Sequence, residues 1–212
     1  MPALSLETLV EPGRAALVAI EVQNGVVGRE TALPALAEAA AEVGLIGNVA
    51  RLSRAARGAG VPVIHCTAQN LPHGFGVNRN ARLFAGARKA GAGNSPGSSS
   101  VAPVPEVEVE PDDLILPRYH GLAPLTGGPL DSLLRNSGIT TIVVVGVSLN
   151  IAVTNTVFDA VNRAYQVVLV TDAVAGTPTA YGREVIKHTL SLLATLTTTD
   201  ELVGTWEALA KV

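Results

Sequence analysis

The sequence predicts an α/β fold: a doubly wound, mainly parallel six-stranded sheet between two layers of helices (α/β/α). Three observations carry that prediction. Short β-branched runs such as residues 142–145 (IVVV) are apolar at every position, as strands buried on both faces are. Between such runs lie segments with apolar residues at helical spacing, of which residues 150–164, with Ile151, Val153, Val157, Phe158, Ala160 and Val161, is the clearest. The two patterns alternate along the chain, as they do when crossover helices join parallel strands.

Taken in order, Pro12 and Gly13 turn the chain into a first strand at residues 15–20, which ends in the polar run Glu21-Val22-Gln23-Asn24-Gly25. Residues 34–60 are alanine-rich, with Arg51, Arg54 and Arg57 late and Gly58 and Gly60 at the end. That pattern predicts one helix with favourable charge at its C-terminus and a glycine stop. A second strand follows at 61–67. Residues 69–105 show little periodicity, and 86–105 is rich in Gly, Ser and Pro: either a surface loop or an excursion over the site. A short third strand at 113–116 is interrupted by Pro117. A helix at 127–136 is closed by Gly138, and the fourth strand, 142–145, leads through Gly146-Val147-Ser148 into the helix at 150–164. A fifth strand at 166–170, a helix at 178–194 and a last strand at 195–199 follow, and Asp200 is placed to cap the final helix.

A chain of 212 residues fits one domain over 1–212. At 48% hydrophobic, with a mean hydropathy of +0.36, it can bury both faces of a sheet and has apolar surface left for a subunit interface. No run approaches the roughly 18 apolar residues of a membrane span. A net charge of −3 with scattered signs and 3% aromatic residues argue against a nucleic-acid surface. The N-terminus lacks the basic and apolar regions of a signal peptide, and one cysteine allows no internal disulfide, so a cytoplasmic setting is the expectation.

Chemistry in such a fold gathers where strands end at the carboxyl edge, beside helix N-termini that favour negative charge. Glu21 follows the first strand, Arg118 the third, and Ala152 opens the helix after the fourth. With the first and fourth strands adjacent, these three positions converge. His65 and Cys66 lie inside the second strand and read as core residues, the thiol having nothing nearby to lower its pKa. His73 and His120 fall in loops and His188 in a helix, with no spacing of a zinc set.

These residues carry a resemblance. Glu21-Val22-Gln23-Asn24 resembles the Asp-x-Gln-Asn that closes the first strand of the isochorismatase-like, or cysteine hydrolase, superfamily. Pro117-Arg118-Tyr119 followed by residues 130–139 (LDSLLRNSGI) is similar to its Lys-bearing segment and the helix after it. Residues 146–160 (GVSLNIAVTNTVFDA) resemble its Gly-Val-x-Thr-x-x-Cys-Val-x-x-Thr-x-x-Asp-Ala, and the stretch from Ala164-Tyr165 to Asp172-Ala173 its continuation. The resemblance implies an Asp–Lys–Cys triad, where this chain has Glu21, Arg118 and Ala152. It also implies a cis peptide between Val147 and Ser148, and an oxyanion site formed by the N–H groups of Ser148 and Ala152. Gln23, Tyr119, Val147 and Asn150 flank these positions and are the expected substrate contacts. The family further implies a homodimer or homotetramer. Its metal-binding members carry Asp-x-His after the second strand; Ala68-Gln69-Asn70 stands here, so no metal and no other cofactor is expected.

An alanine methyl forms no thioester, which leaves three readings. The first is a hydrolase without the cysteine, acting on a small carboxylate-bearing vinyl ether or related metabolite as the isochorismatase branch does, with Glu21 as proton donor. Arg118 complicates it, since a guanidinium stays charged, lowers a neighbouring carboxyl's pKa, and is better suited to gripping a carboxylate of Glu21 or of a substrate. The second is a silent family member that binds a small molecule or a partner protein. The third is an amidase with another nucleophile, for which Ser148 and Thr154 are the nearby hydroxyls.

Overall fold

The computed structural model describes residues 4–89 and 94–211. Its strands are β1 (Ala15–Ile20), β2 (Val63–Ala68), β3 (Leu114–Arg118), β4 (Thr141–Val147), β5 (Gln166–Ala175) and β6 (Thr195–Thr197). They form one sheet in the order β3-β2-β1-β4-β5-β6, parallel throughout. Every residue of β1 and β4 is buried. Alternate side chains therefore serve opposite faces. Leu17, Val143 and Val168 pack with α3 (Leu45–Gly58) and α8 (Thr199–Leu209) in one core. Val18, Ile142 and Leu169 pack with α5 (Leu130–Asn136), α6 (Thr154–Asn162) and α7 (Thr179–His188) in the other. The remaining helices are α1 (Leu6–Leu9), α2 (Pro34–Glu42) and α4 (Arg82–Lys89). No helix among the described residues is long and apolar enough to cross a membrane.

Several expected boundaries move, each for a physical reason. The single helix expected at 34–60 is two, because Gly44 adopts a left-handed φ of 65° that ends α2 and lets α3 start at a new angle. β3 runs through Pro117, which a central strand would not tolerate; β3 is an edge strand, so the missing N–H costs no ladder bond. The helix expected from residue 150 opens as one wide π turn, Leu149–Val153, before α6. The helix expected at 178–194 ends at His188, and a 3₁₀ turn follows. Asp200 does not cap α8: Thr198 is the extended cap residue and its hydroxyl accepts the Glu201 N–H, while Asp200 in the first turn pairs with Arg51. The aperiodic stretch 69–105 contains α4, which takes up residues 86–89 of the Gly/Ser/Pro-rich segment; residues 90–93 of that segment lie outside the described residues. Its later part packs onto the end of β1, where Ala102 and Ser100 carbonyls accept the N–H groups of Asn24 and Gly25. Ala87 and Asn94 line the cavity described below, so the segment is an excursion over the site.

A buried polar cluster ties β2 to the turn before β3. Asp113 takes both guanidinium nitrogens Nε and Nη2 of Arg57, at 3.1 and 2.6 Å, and lies 3.2 Å from His65 Nε2. His65 is the core histidine expected, though its Nδ1 finds no partner among the described residues. Burial pushes its pKa down, against the pull of the Asp113 carboxylate. Burial also works to raise Asp113, but hydrogen bonds from Arg57, the Glu110 N–H and His65 hold it below the usual carboxylate range. Both groups then oppose acid. The unfolded histidine takes up a proton below about pH 6.5 that the folded one refuses, and the Asp113 contribution is lost as pH falls through its lowered value. Thermal melts are expected to shift down from pH 7 to pH 4. His65 contributes at most about 1.4 kcal/mol per pH unit as pH falls below roughly 6.5, and His65→Gln should flatten that window. A slope there unchanged by the substitution would remove His65 as its source.

Candidate active site

β1 and β4 lie side by side with Ile20 opposite Gly146, so the residues just beyond them share one patch of the carboxyl edge. Glu21 is the first residue past β1. Its φ of 53° is left-handed, a conformation that costs a non-glycine residue about 1–2 kcal/mol. The position is held from two sides: its N–H donates to the Cys66 carbonyl at 2.8 Å, and its carboxylate accepts a hydrogen bond from Arg118 Nη2. Arg118, at the end of β3, reaches back across β2 to make that ion pair, and its Nη1 donates to the carbonyls of His120 and Gly121. Both side chains are mostly buried, at 17% and 16% exposure. Burial pushes the Glu21 carboxyl above its ordinary range, and the Arg118 charge and hydrogen bond only partly offset that.

Facing the pair is the start of the π turn. The Val147–Ser148 peptide is cis. Ser148 O accepts the N–H groups of Ile151 and Val153, so the turn winds around that carbonyl. N–H groups this early in a helix lack intrahelical partners as a rule, which suits the space beside Ser148 and Ala152 to a carbonyl oxygen. The Ser148 hydroxyl donates to Asn150 Oδ1 at 2.9 Å, and the Thr154 hydroxyl to the Leu149 carbonyl at 2.6 Å. Neither hydroxyl is hydrogen-bonded to a base. Cys66 is buried, and burial drives its thiol up to about 12, so it stays protonated at neutral pH.

Glu21, Arg118, Tyr119, Ser148, Asn150 and Ala152 all line one cavity of about 600 Å³. Gln23 and Val147 do not. Gln23 is fully buried, and its amide is used three ways within the protein: Oε1 accepts the Ala68 N–H, and Nε2 donates to the carbonyls of Ala68 and Ser100. It stitches the ends of β1 and β2 to the covering segment. Val147 is fully buried at the end of β4, paired with Ala175 of β5. What the sequence did not signal is the far wall of the cavity, built by Leu33 and Leu36 at the start of α2 and by Leu83 and Phe84 of α4. Ordinary leucines far apart in the chain carry no chemical pattern. Among the described residues no three His, Cys, Asp or Glu side chains gather to hold a metal ion.

A parallel sheet of this strand order is a Rossmann-like α/β fold, and its cavity lies at the carboxyl edge between β1 and β4. The chain matches the Isochorismatase domain over residues 15–201 and belongs to that family. Ureidoacrylate amidohydrolase RutB of Methylobacterium radiotolerans is 28% identical over 187 residues, covering 82% of this chain and 71% of that one. An isochorismatase family protein from Burkholderia thailandensis has a TM-score of 0.74 at 28% identity, over 92% of this chain and 96% of that one. A cysteine hydrolase from Pseudomonas syringae pv. phaseolicola 1448A shares the fold with a TM-score of 0.82 at 22% identity, over 99% and 100% of the two chains.

Proposed function

We infer that the protein is a family hydrolase acting on a small metabolite without an enzyme thiol, with Glu21 as proton donor. The observation that carries this is the Glu21 carboxyl: buried in the cavity lining with its pKa raised, opposite an alanine, in a chain whose single thiol is buried and protonated. Membership in the family and the amidohydrolase named among its relatives support hydrolysis. For an enol ether, Glu21 gives its proton to the enol carbon, water adds to the oxocarbenium ion formed and returns a proton to the Glu21 carboxylate, and the hemiketal collapses to a ketone and an alcohol. Arg118 holds the carboxyl in place through the hydrogen bond from its Nη2 to Glu21 Oε1, and is itself anchored on two backbone carbonyls.

The Glu21–Arg118 ion pair favours one competing reading, a binder whose acid is kept ionised. Product formation from isochorismate, from uncharged enol-ether analogues and from small amides separates the two, run beside Ala152→Cys. Enol-ether turnover by the unmodified protein is expected. Turnover that appears only with amides and only in Ala152→Cys would show an intact amidase scaffold and make the native chain a binder.

A further inference from the structure

The cavity has two unlike halves. One holds the acid and the ion pair. The other is a wall of Leu33, Leu36, Val77, Leu83, Phe84 and Leu122. On α4, Leu83 and Ala87 stand four residues apart and Phe84 and Ala87 three, so helical geometry turns one face to the cavity. Leu83 is 49% exposed and Leu122 37%, apolar area that a soluble surface seldom gathers in one place without a use. A volume of about 600 Å³ holds on the order of 20 water-sized groups, more than a small acid or amide fills.

The charged half is electrically closed. Among the described lining residues the only carboxylate and the only guanidinium are Glu21 and Arg118, and they pair with each other; Arg118 is further engaged by two carbonyls. Three of the five lining amides are engaged within the protein: Gln69 Nε2 donates to Thr67, Asn78 Oδ1 accepts the Gly121 N–H, and Asn150 Nδ2 donates to the Thr177 carbonyl; Asn70 and Asn94 add neutral dipoles, not charge. Arg79 lines an adjoining outer cleft and not this cavity, while His120 lines both. A substrate carboxylate entering this cavity would give up its hydration with no unengaged guanidinium or ammonium among the described lining residues to meet it, an expensive transfer. A carbonyl or ether oxygen meets only the partial positive charge of the helix start, which suffices for it.

We propose that the cavity selects uncharged ligands that place a carbonyl or enol-ether head at Ser148 and Ala152 and an apolar substituent of about four to six carbons against the α2–α4 wall. This deepens the hydrolase reading, on which the identity of the head group rests. It replaces the carboxylate-bearing substrate expected from the sequence.

The test is calorimetric titration of the full chain with acetamide, butanamide and hexanamide, and with hexanamide's counterpart ending in a carboxylate. Affinity is expected to rise roughly fourfold per methylene, the increment for burying a CH₂ group. The carboxylate-ended amide should bind at least tenfold more weakly than hexanamide. Leu83→Asp, at a half-exposed first-turn position of the α4 wall, should flatten the series. A flat series in the unmodified protein, no binding at all, or a preference for the carboxylate-ended amide would overturn the proposal. A rising series in a protein that turns over none of the enol ethers would instead sink the hydrolase reading and leave the ligand class standing.

Discussion

Glu21→Gln is expected to lower kcat for an enol-ether substrate by a factor of about 10²–10⁴, the usual contribution of a positioned proton donor. The amide keeps the shape and still accepts the Arg118 hydrogen bond through Oε1, so KM should change by no more than about threefold. A loss confined to kcat is what removal of a transition-state interaction looks like. The pH profile gives the second readout. An acid whose pKa burial has raised is active below that value and lost above it, so the unmodified protein should show a rate that falls with rising pH above the ordinary carboxylate range. Glu21→Gln should erase that limb. Folding serves as the control: leaving the mostly buried Arg118 without a countercharge costs about 1–3 kcal/mol, a shift of a few degrees in Tm that leaves the protein folded. Turnover retained within about tenfold would remove Glu21 from the chemistry and favour the binder.

The site was legible from sequence to the extent that strand ends fix it. Glu21, Arg118 and Ala152 each directly follow an apolar run or its turn, and parallel strands bring all such points to one edge whatever lies between them. The alternation of strand and helix patterns likewise sufficed for the sheet. Side-chain direction beyond the strand ends was not legible. The left-handed turn at Glu21 breaks the in–out alternation, so Gln23 points into protein rather than cavity. The break at Gly44 left no mark because glycine is tolerated within a helix at modest cost. The short helix α4 hid in a segment whose glycines and serines dominate the composition, and with it went the cavity wall that decides the ligand class. Asp113, which read as the start of a strand, is in fact the acceptor of a buried cluster whose members lie 48 and 56 residues away.

Gly146→Ala is expected to be the most damaging single substitution for stability. Gly146 has a φ of 109°, which side chains rarely adopt, and it lies at the bulge where the β4–β5 register shifts. A Cβ there would overlap the Ile20 carbonyl oxygen and stand 2.7 Å from Ile20 N and 2.9 Å from its carbonyl carbon. Those atoms are backbone of a fully buried central strand, so no side chain can swing aside. Relief requires β1 and β4 to separate at the carboxyl edge, one residue before Glu21 and two before Ser148. The strain and lost pairing come to about 4 kcal/mol or more, a large share of the 5–15 kcal/mol of a typical domain. For a chain of this length Tm should drop by roughly 8–16 °C. Gly47→Ala is the counterpart: Gly47 sits within α3 with nothing within 4 Å of its Cβ position, and alanine there should stabilise by about 0.5–1 kcal/mol. Differential scanning calorimetry of the two variants separates close approach from composition. Equal and small shifts would mean that β1 and β4 are not locked together at Gly146, and the placement of Glu21 against Ser148 would then need another anchor.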